Sequence, residues 1–203
     1  MKIIKSALIL AFIFSFNNHI FSQNEENEKD CNVNLREFIQ KQDVVKVKDE
    51  VYIGKINGKN SVGMRFYAVD YYQLNDSLNH LKGMKITIEQ KRDEAKYQIS
   101  SYIDFEQLTE IDSFLANINA EASTWKKSKK PYSEIVFNTK DNFELKISQS
   151  GKKQNGYATI SKEKFKLTCS FGYVKKNLKK LVSIFDEADE ILNPKVSSEE
   201  VAF

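Results

Sequence analysis

Between Tyr97 and Ile118 the chain passes from strand rhythm to helix rhythm, and this junction constrains the fold more than any other stretch. Tyr97–Ile103 reads as a strand, and Phe105, Leu108, Ile111, Leu115 and Ile118 then recur at helical spacing to draw one apolar stripe. Asp104 stands at the N-cap position with Gln107 three residues on, the pattern of a capping box. The stripe has to be buried, and the alternating segments on either side supply the surface. A second copy of the arrangement follows. Glu144–Gln149 (ELKISQ) matches Lys85–Gln90 (KITIEQ) at a shift of 59 positions, and Leu178, Leu181 and Phe185 match Leu108, Ile111 and Leu115 at a shift of 70. The longer turn Ser150–Tyr157 and an extra strand, Ala158–Phe171, absorb the difference. The expected architecture is α+β: a mainly antiparallel, curled sheet with two amphipathic helices packed on it, built as two diverged strand–strand–helix halves near 84–122 and 133–192.

The first residues bear on destination. Lys2 and Lys5 precede the apolar run Ala7–Phe14, the polar break Asn17–Asn18 and a small residue, Ser22. This is the layout of a signal peptide over residues 1–22, and it predicts an exported protein, periplasmic or extracellular. The apolar run is short beside the roughly 20 residues of a membrane-spanning helix, although Ile20 suits a cleavage site poorly and keeps an uncleaved anchor as the second reading. Residues 23–34 are polar and acidic and read as a disordered linker, residues 35–193 as a single domain, and 194–203 as a flexible tail. Cys31 and Cys169 remain after cleavage. In an oxidising compartment they are candidates for a disulfide, the other reading being a buried Cys169 and a free thiol on a mobile arm. Lys plus Arg number 31 and Asp plus Glu 28; without Lys2 and Lys5 the balance is 29 to 28, which gives no overall footprint for nucleic acid.

Along the rest of the chain, Leu35–Gln42 reads as a short helix, Val44–Ile56 as strand with a turn at Asp49–Glu50, and Asn57–Asn60 as the clearest hairpin turn. Ser61–Leu74 reads as a long strand with Phe66 and Ala68 on one face and Arg65, Tyr67, Val69 and Tyr71 on the other. Asn75–Gly83 reads as a loop carrying His80, Ser133–Thr139 as a strand paired to Phe143–Ser148, and Val174–Leu192 as the second helix.

Catalytic candidates are few. His80 is the one histidine beyond the signal segment, so any imidazole chemistry rests on it, with Asn75, Asp76 and Ser77 nearby; an exposed loop histidine is the plainer reading. No HExxH, CxxC, GxSxG, P-loop or dinucleotide fingerprint is present, and one histidine with two distant cysteines makes a poor zinc site. No cofactor is implied. Asp186, Asp189 and Glu190 share a helix face, which invites a calcium or carboxylate-pair reading but lacks the Gly-punctuated loop that calcium sites use.

Two basic clusters are the most distinctive local features. Lys126, Lys127, Lys129 and Lys130 lie between Trp125 and Tyr132, and Lys175, Lys176, Lys179 and Lys180 crowd the start of the second helix. That helix is charged against its own dipole, a cost offset if its lysines and free N–H groups meet an anion. The sequence therefore leads to an exported non-catalytic binding module, recognising an anionic or glycan ligand through Trp125, Lys126, Lys127, Lys129, Lys130, Tyr132, Lys175, Lys176 and Lys179. Solubilising lysines on exposed faces are the plainer reading of the same residues. The alternatives are an envelope assembly protein that binds another protein, and a carboxylate-based hydrolase. The tyrosines Tyr67 and Tyr71 beside Arg65 offer a further binding face if they point outward.

Overall fold

The computed structural model describes residues 35–125 and 131–194, so the expected signal peptide and linker, Cys31, the Lys126–Lys130 run and Lys195–Phe203 lie outside the described residues. A short helix, α1 (Leu35–Gln40), leads into a four-strand antiparallel meander of β1 (Lys46–Asn57), β2 (Val62–Gln73), β3 (Asp76–Arg92) and β4 (Ala95–Asp104). Helix α2 (Phe105–Trp125) follows without a break. A second meander of β5 (Tyr132–Asn138), β6 (Phe143–Ser150), β7 (Lys153–Lys162) and β8 (Phe165–Phe171) then ends in α3 (Val174–Leu192). The fold is α+β as expected, antiparallel strands with amphipathic helices packed on them, the strands being divided between two open four-strand sheets.

Both halves share a core. The α2 stripe is buried as its spacing requires, with Leu108 at 4 %, Ile111 at 1 % and Leu115 at 0 % exposure, and α3 buries Leu178, Leu181 and Phe185 in the same cluster. Phe66, Met84, Ile86 and Ile88 enter it from the first sheet, and Leu145, Ile147, Ala158, Ile160 and Phe171 from the second. Where elements approach closely, glycine is required. A Cβ on Gly156 would lie 2.1 Å from the Phe171 ring, and one on Gly58 would lie 2.5 Å from Cys169 Sγ and 2.9 Å from the Ser170 carbonyl oxygen. In the β1–β2 hairpin the positive φ angles fall at Asn60 and Ser61. Gly58 is thus needed for close approach and not for the turn itself.

Several expectations change. The Asp49–Glu50 turn is absent, because both residues lie inside β1, paired with Asp70 and Val69. The stretch Asn75–Gly83 is mostly strand: β3 begins at Asp76, directly after a tight turn, and its first five residues are partly or fully exposed. The long turn at Ser150–Tyr157 shrinks to Gly151–Lys152, and Ala158–Phe171 divides into parts of β7 and β8 at the Glu163–Lys164 turn. Each half is therefore a four-strand meander plus helix. Lys85–Gln90 lies in the third strand of its sheet and Glu144–Gln149 in the second, so these matched segments are not equivalent, whereas the two helix stripes are. The capping box does not form either. Asp104 Oδ1 accepts the Leu35 N–H at 2.8 Å, and Gln107 Oε1 is buried with no hydrogen-bond partner.

The turn between β5 and β6 docks onto the free edge of β4. Asp141, 3 % exposed, accepts the Tyr102 N–H on Oδ2 at 2.8 Å, and its carbonyl accepts the Ser101 hydroxyl at 2.8 Å. Arg36 Nη1 lies 2.7 Å from Oδ1 as an ion pair without hydrogen-bond alignment, and Lys162 Nζ lies 3.7 Å from Oδ2. One carboxylate thus joins α1, β4 and β7.

Two substitutions test this construction in denaturant unfolding. Leu115→Ala leaves a cavity at the centre of the shared core and costs about 2–5 kcal/mol. Asp141→Ala removes the acceptor of the Tyr102 N–H and the partner of Arg36, and costs about 1.5–3 kcal/mol. A loss below about 0.5 kcal/mol in either variant contradicts its assignment.

Candidate functional site

Among the described residues, three grooves and one sheet face offer places for chemistry or binding. The first groove, about 600 Å³, is lined by Lys152 and Gln154 from the β6–β7 region and by Tyr173, Val174, Lys175, Lys176 and Lys179 at the start of α3. Tyr173 is the N-cap of that helix. Its backbone is left-handed (φ 48°, ψ 48°), it makes no side-chain capping bond, and it is 88 % exposed. A left-handed conformation is costly for a residue with a Cβ, by about 1–2 kcal/mol. The Asn177 amide holds the preceding turn by donating to the Gly172 carbonyl at 2.6 Å. The result is an exposed tyrosine on a groove that four lysines also line.

The structure divides the other expected ligand residues. Trp125 is not a surface platform: its ring is 5 % exposed and belongs to the shared core. Its indole N–H donates to Glu121 Oε1 one turn earlier at 3.0 Å, and its carbonyl accepts the Gln149 amide at 2.8 Å. Tyr132 is exposed and bonded to Glu134 through its hydroxyl. Lys126, Lys127, Lys129 and Lys130 lie outside the described residues. Gln154, which lines the basic groove, donates to the Ala122 carbonyl at 2.7 Å, so the end of α2 is fastened to the groove wall. Sequence reasoning missed Tyr173 and Lys152 as neighbours of the α3 lysines; the signal was the Gly172–Tyr173 pair ahead of a helix that lacks a good cap. Cys169 sits at 0 % exposure, where burial pushes its thiol up to about 11, and Cys31 lies outside the described residues.

The second groove, about 630 Å³, runs between α2 and the end of α3 and gathers Asp112, Asp186, Asp189 and Glu190. The shared face of Asp186, Asp189 and Glu190 is thus real. Partial burial raises the Asp186 carboxyl, and the charges of Asp112, Glu190 and Asp189 raise it further. Among the described residues no group of three or more His, Cys, Asp or Glu side chains has the arrangement of a metal site. The third groove, about 340 Å³, surrounds the Asp141 clasp and includes Arg36, Asp104, Gln107 and Lys140. Burial raises the Asp104 carboxyl, against the lowering effect of the Leu35 N–H.

His80 stands on β3 in the projecting part of the β2–β3 hairpin. Its Nδ1 lies 2.8 Å from Asp70 Oδ1 and its Nε2 lies 3.0 Å from the Ser77 carbonyl oxygen, with the ring against Tyr72. Both nitrogens face oxygen acceptors within the hairpin. The Asp–His half of a triad is present, but Nε2 is turned to a main-chain carbonyl and not to a hydroxyl nucleophile.

On the outer face of the first sheet, Arg65, Tyr67, Val69 and Tyr71 do share one side. Helix α1 covers half of it, with Leu35 and Phe38 packed on Val69 and Tyr71. The open half shows Tyr52 edge-on to Tyr67 at 5.6 Å and Lys85 Nζ 5.0 Å from the Tyr67 ring. Burial pushes Tyr102 up to about 12. At Glu50, burial acts upward, but the bonds and charges of Lys48 and Lys85 outweigh it and hold the carboxyl low. These groups already satisfy one another. The basic groove, where exposed lysines and the displayed ring stand together, is the better binding candidate.

Asp186 supplies a test of the acidic groove. Its pKa is higher folded than unfolded, so its contribution favours the folded state below the unfolded value and is lost as pH rises through the folded one. Asp186→Asn should therefore raise the thermal midpoint at pH 7 and lose that advantage at pH 3. A midpoint unchanged at pH 7 would show that the four carboxylates are solvated independently.

Among the described residues no helix is long and apolar enough to cross a membrane. Comparison with protein-family models, with curated proteins and with solved structures gives no match to this chain.

Proposed function

We propose that the protein is an exported, non-catalytic binding module whose ligand is an anionic glycan, held in the basic groove at the start of α3. The display of Tyr173 carries this reading. An aromatic ring 88 % exposed on a left-handed backbone, at a helix start that its side chain does not cap, is unfavourable for folding and suited to stacking on the apolar face of a sugar. Around it Lys152, Lys175, Lys176 and Lys179 supply cations for a sulfate or carboxylate, at the positive end of the helix dipole. The arrangement of His80, with Nε2 on the Ser77 carbonyl, weighs against a histidine-based hydrolase.

Calorimetric titration of the purified protein with heparin, polygalacturonate and a neutral glucan, at low and physiological salt, tests the proposal. The expected result is binding to at least one polyanion that weakens with salt, falls by about tenfold in Tyr173→Ala, and falls again in Lys175→Ala/Lys179→Ala. Absence of binding to both polyanions at low salt would overturn it, as would binding indifferent to Tyr173.

A further inference from the structure

An unpaired strand edge presents a row of N–H and C=O groups that another extended chain can join, and proteins commonly block such edges. Three of the four edges here carry a visible device. β1 has Lys46, Lys48 and Lys55 along it and an irregularity in its register between Tyr52 and Gly54. At β4 the Tyr102 N–H is taken by Asp141, and at β8 the Ser170 carbonyl accepts the Lys59 N–H at 2.8 Å. β5 has no such device among the described residues. It runs in unbroken register with β6 from Tyr132 to Asn138, contains no Lys or Pro, and its single charge, Glu134, has Lys146 at 3.9 Å. Ile135 and Phe137 are only half-buried although they pack against the core, and Val136 on the opposite face is 39 % exposed.

We propose that β5 is a self-association edge, pairing antiparallel with β5 of a second copy about a two-fold axis at Val136, so that two four-strand sheets become one of eight strands. The sequence of the strand argues for a second copy over a different protein, because it is complementary to itself. About Val136, Ile135 falls opposite Phe137 of the second copy and Glu134 opposite Asn138, all within the strand. Apolar residues meet apolar residues, and no like charges are directly opposed. Moving the axis to Ile135 would set Ser133 against Phe137 and Glu134 against Val136, which loses the match. A two-fold pairing of this kind closes on itself as a dimer. The pairing is independent of any ligand in the basic groove.

Sedimentation and light scattering of the purified protein over two decades of concentration test the pairing. The expected result is a monomer–dimer equilibrium, with Val136→Lys monomeric throughout while its far-ultraviolet dichroism and melting midpoint match the parent. A second variant, Cys31→Ser/Val136→Cys, places two thiols on the axis and should cross-link to a dimer under mild oxidation, which keeps the test decisive if Val136→Lys fails to fold. A parent protein that stays monomeric at every concentration overturns the proposal. So does a dimer unchanged by Val136→Lys, or the absence of cross-linking in the cysteine variant.

Discussion

The packing of α2 against α3 closes the core, and the rest of the structure follows from it. A four-strand antiparallel sheet with one helix leaves much of its inner face bare, since a helix about 10 Å wide covers only two or three strands spaced about 4.8 Å apart. Here the two helices bring their stripes together, Leu108, Ile111 and Leu115 from one and Leu178, Leu181 and Phe185 from the other. Both sheets contribute side chains to that same cluster. The halves repeat one topology around this main core, and the first half alone adds a small cluster where Leu35 and Phe38 cover Val69 and Tyr71. Gly54 lies where α3 comes close to the first sheet, since a Cβ there would stand 3.1 Å from the Ile184 side chain.

The seam between the halves is held by polar groups, as a seam made of strand edges must be. Backbone groups at a sheet edge need partners when the edge is covered. Asp141 meets that need at Tyr102, and the Lys59 N–H meets it at Ser170. Both devices arise in tight turns where the chain adopts positive φ close by, at Asn142 in one case and at Asn60 and Ser61 in the other. The hairpin turns therefore do more than reverse direction. They dock one half onto the other, and they leave β5 as the edge without an equivalent.

What was legible in the sequence were the elements with a buried stripe. The α2 and α3 periodicities, the alternation of Phe66 and Ala68 against Tyr67 and Val69, and the strand and turn around Lys140–Asn142 reflect burial on one face, and burial writes a period. The first residues of β3 were not legible, since Ser77, Leu78, Asn79 and His80 project beyond the core and are exposed on both faces. A strand with no buried face has no pattern to read. Trp125 misled for a different reason. Its neighbours Lys126–Lys130 point to a surface, yet Trp125 closes the last turn of α2, where Glu121 receives its N–H from one turn back. Lys152 and Tyr173 could not be joined in advance, because only the closing of β7 and β8 brings a turn in the second sheet beside the start of α3.

Near-neutral composition conceals a strongly polarised helix. Lys175, Lys176, Lys179 and Lys180 occupy the first turns of α3, while Asp186, Glu187, Asp189 and Glu190 occupy the last. Both sets oppose the helix dipole, whose N-terminus favours anions and whose C-terminus favours cations, at a few tenths of a kcal/mol for each misplaced group. Among the described residues, Lys82 Nζ donates to the Leu192 carbonyl at 2.8 Å at the acidic end. The lysine set and the carboxylate set are centred about 16 Å apart along the helix axis. Screening at physiological salt acts over roughly 8 Å. The two ends therefore cannot neutralise one another, and each groove presents its own sign of charge to solvent. If the proposed anion sits beside Tyr173, the lysines and the dipole act on it together, and the charge order that opposes the helix in isolation then favours the filled groove.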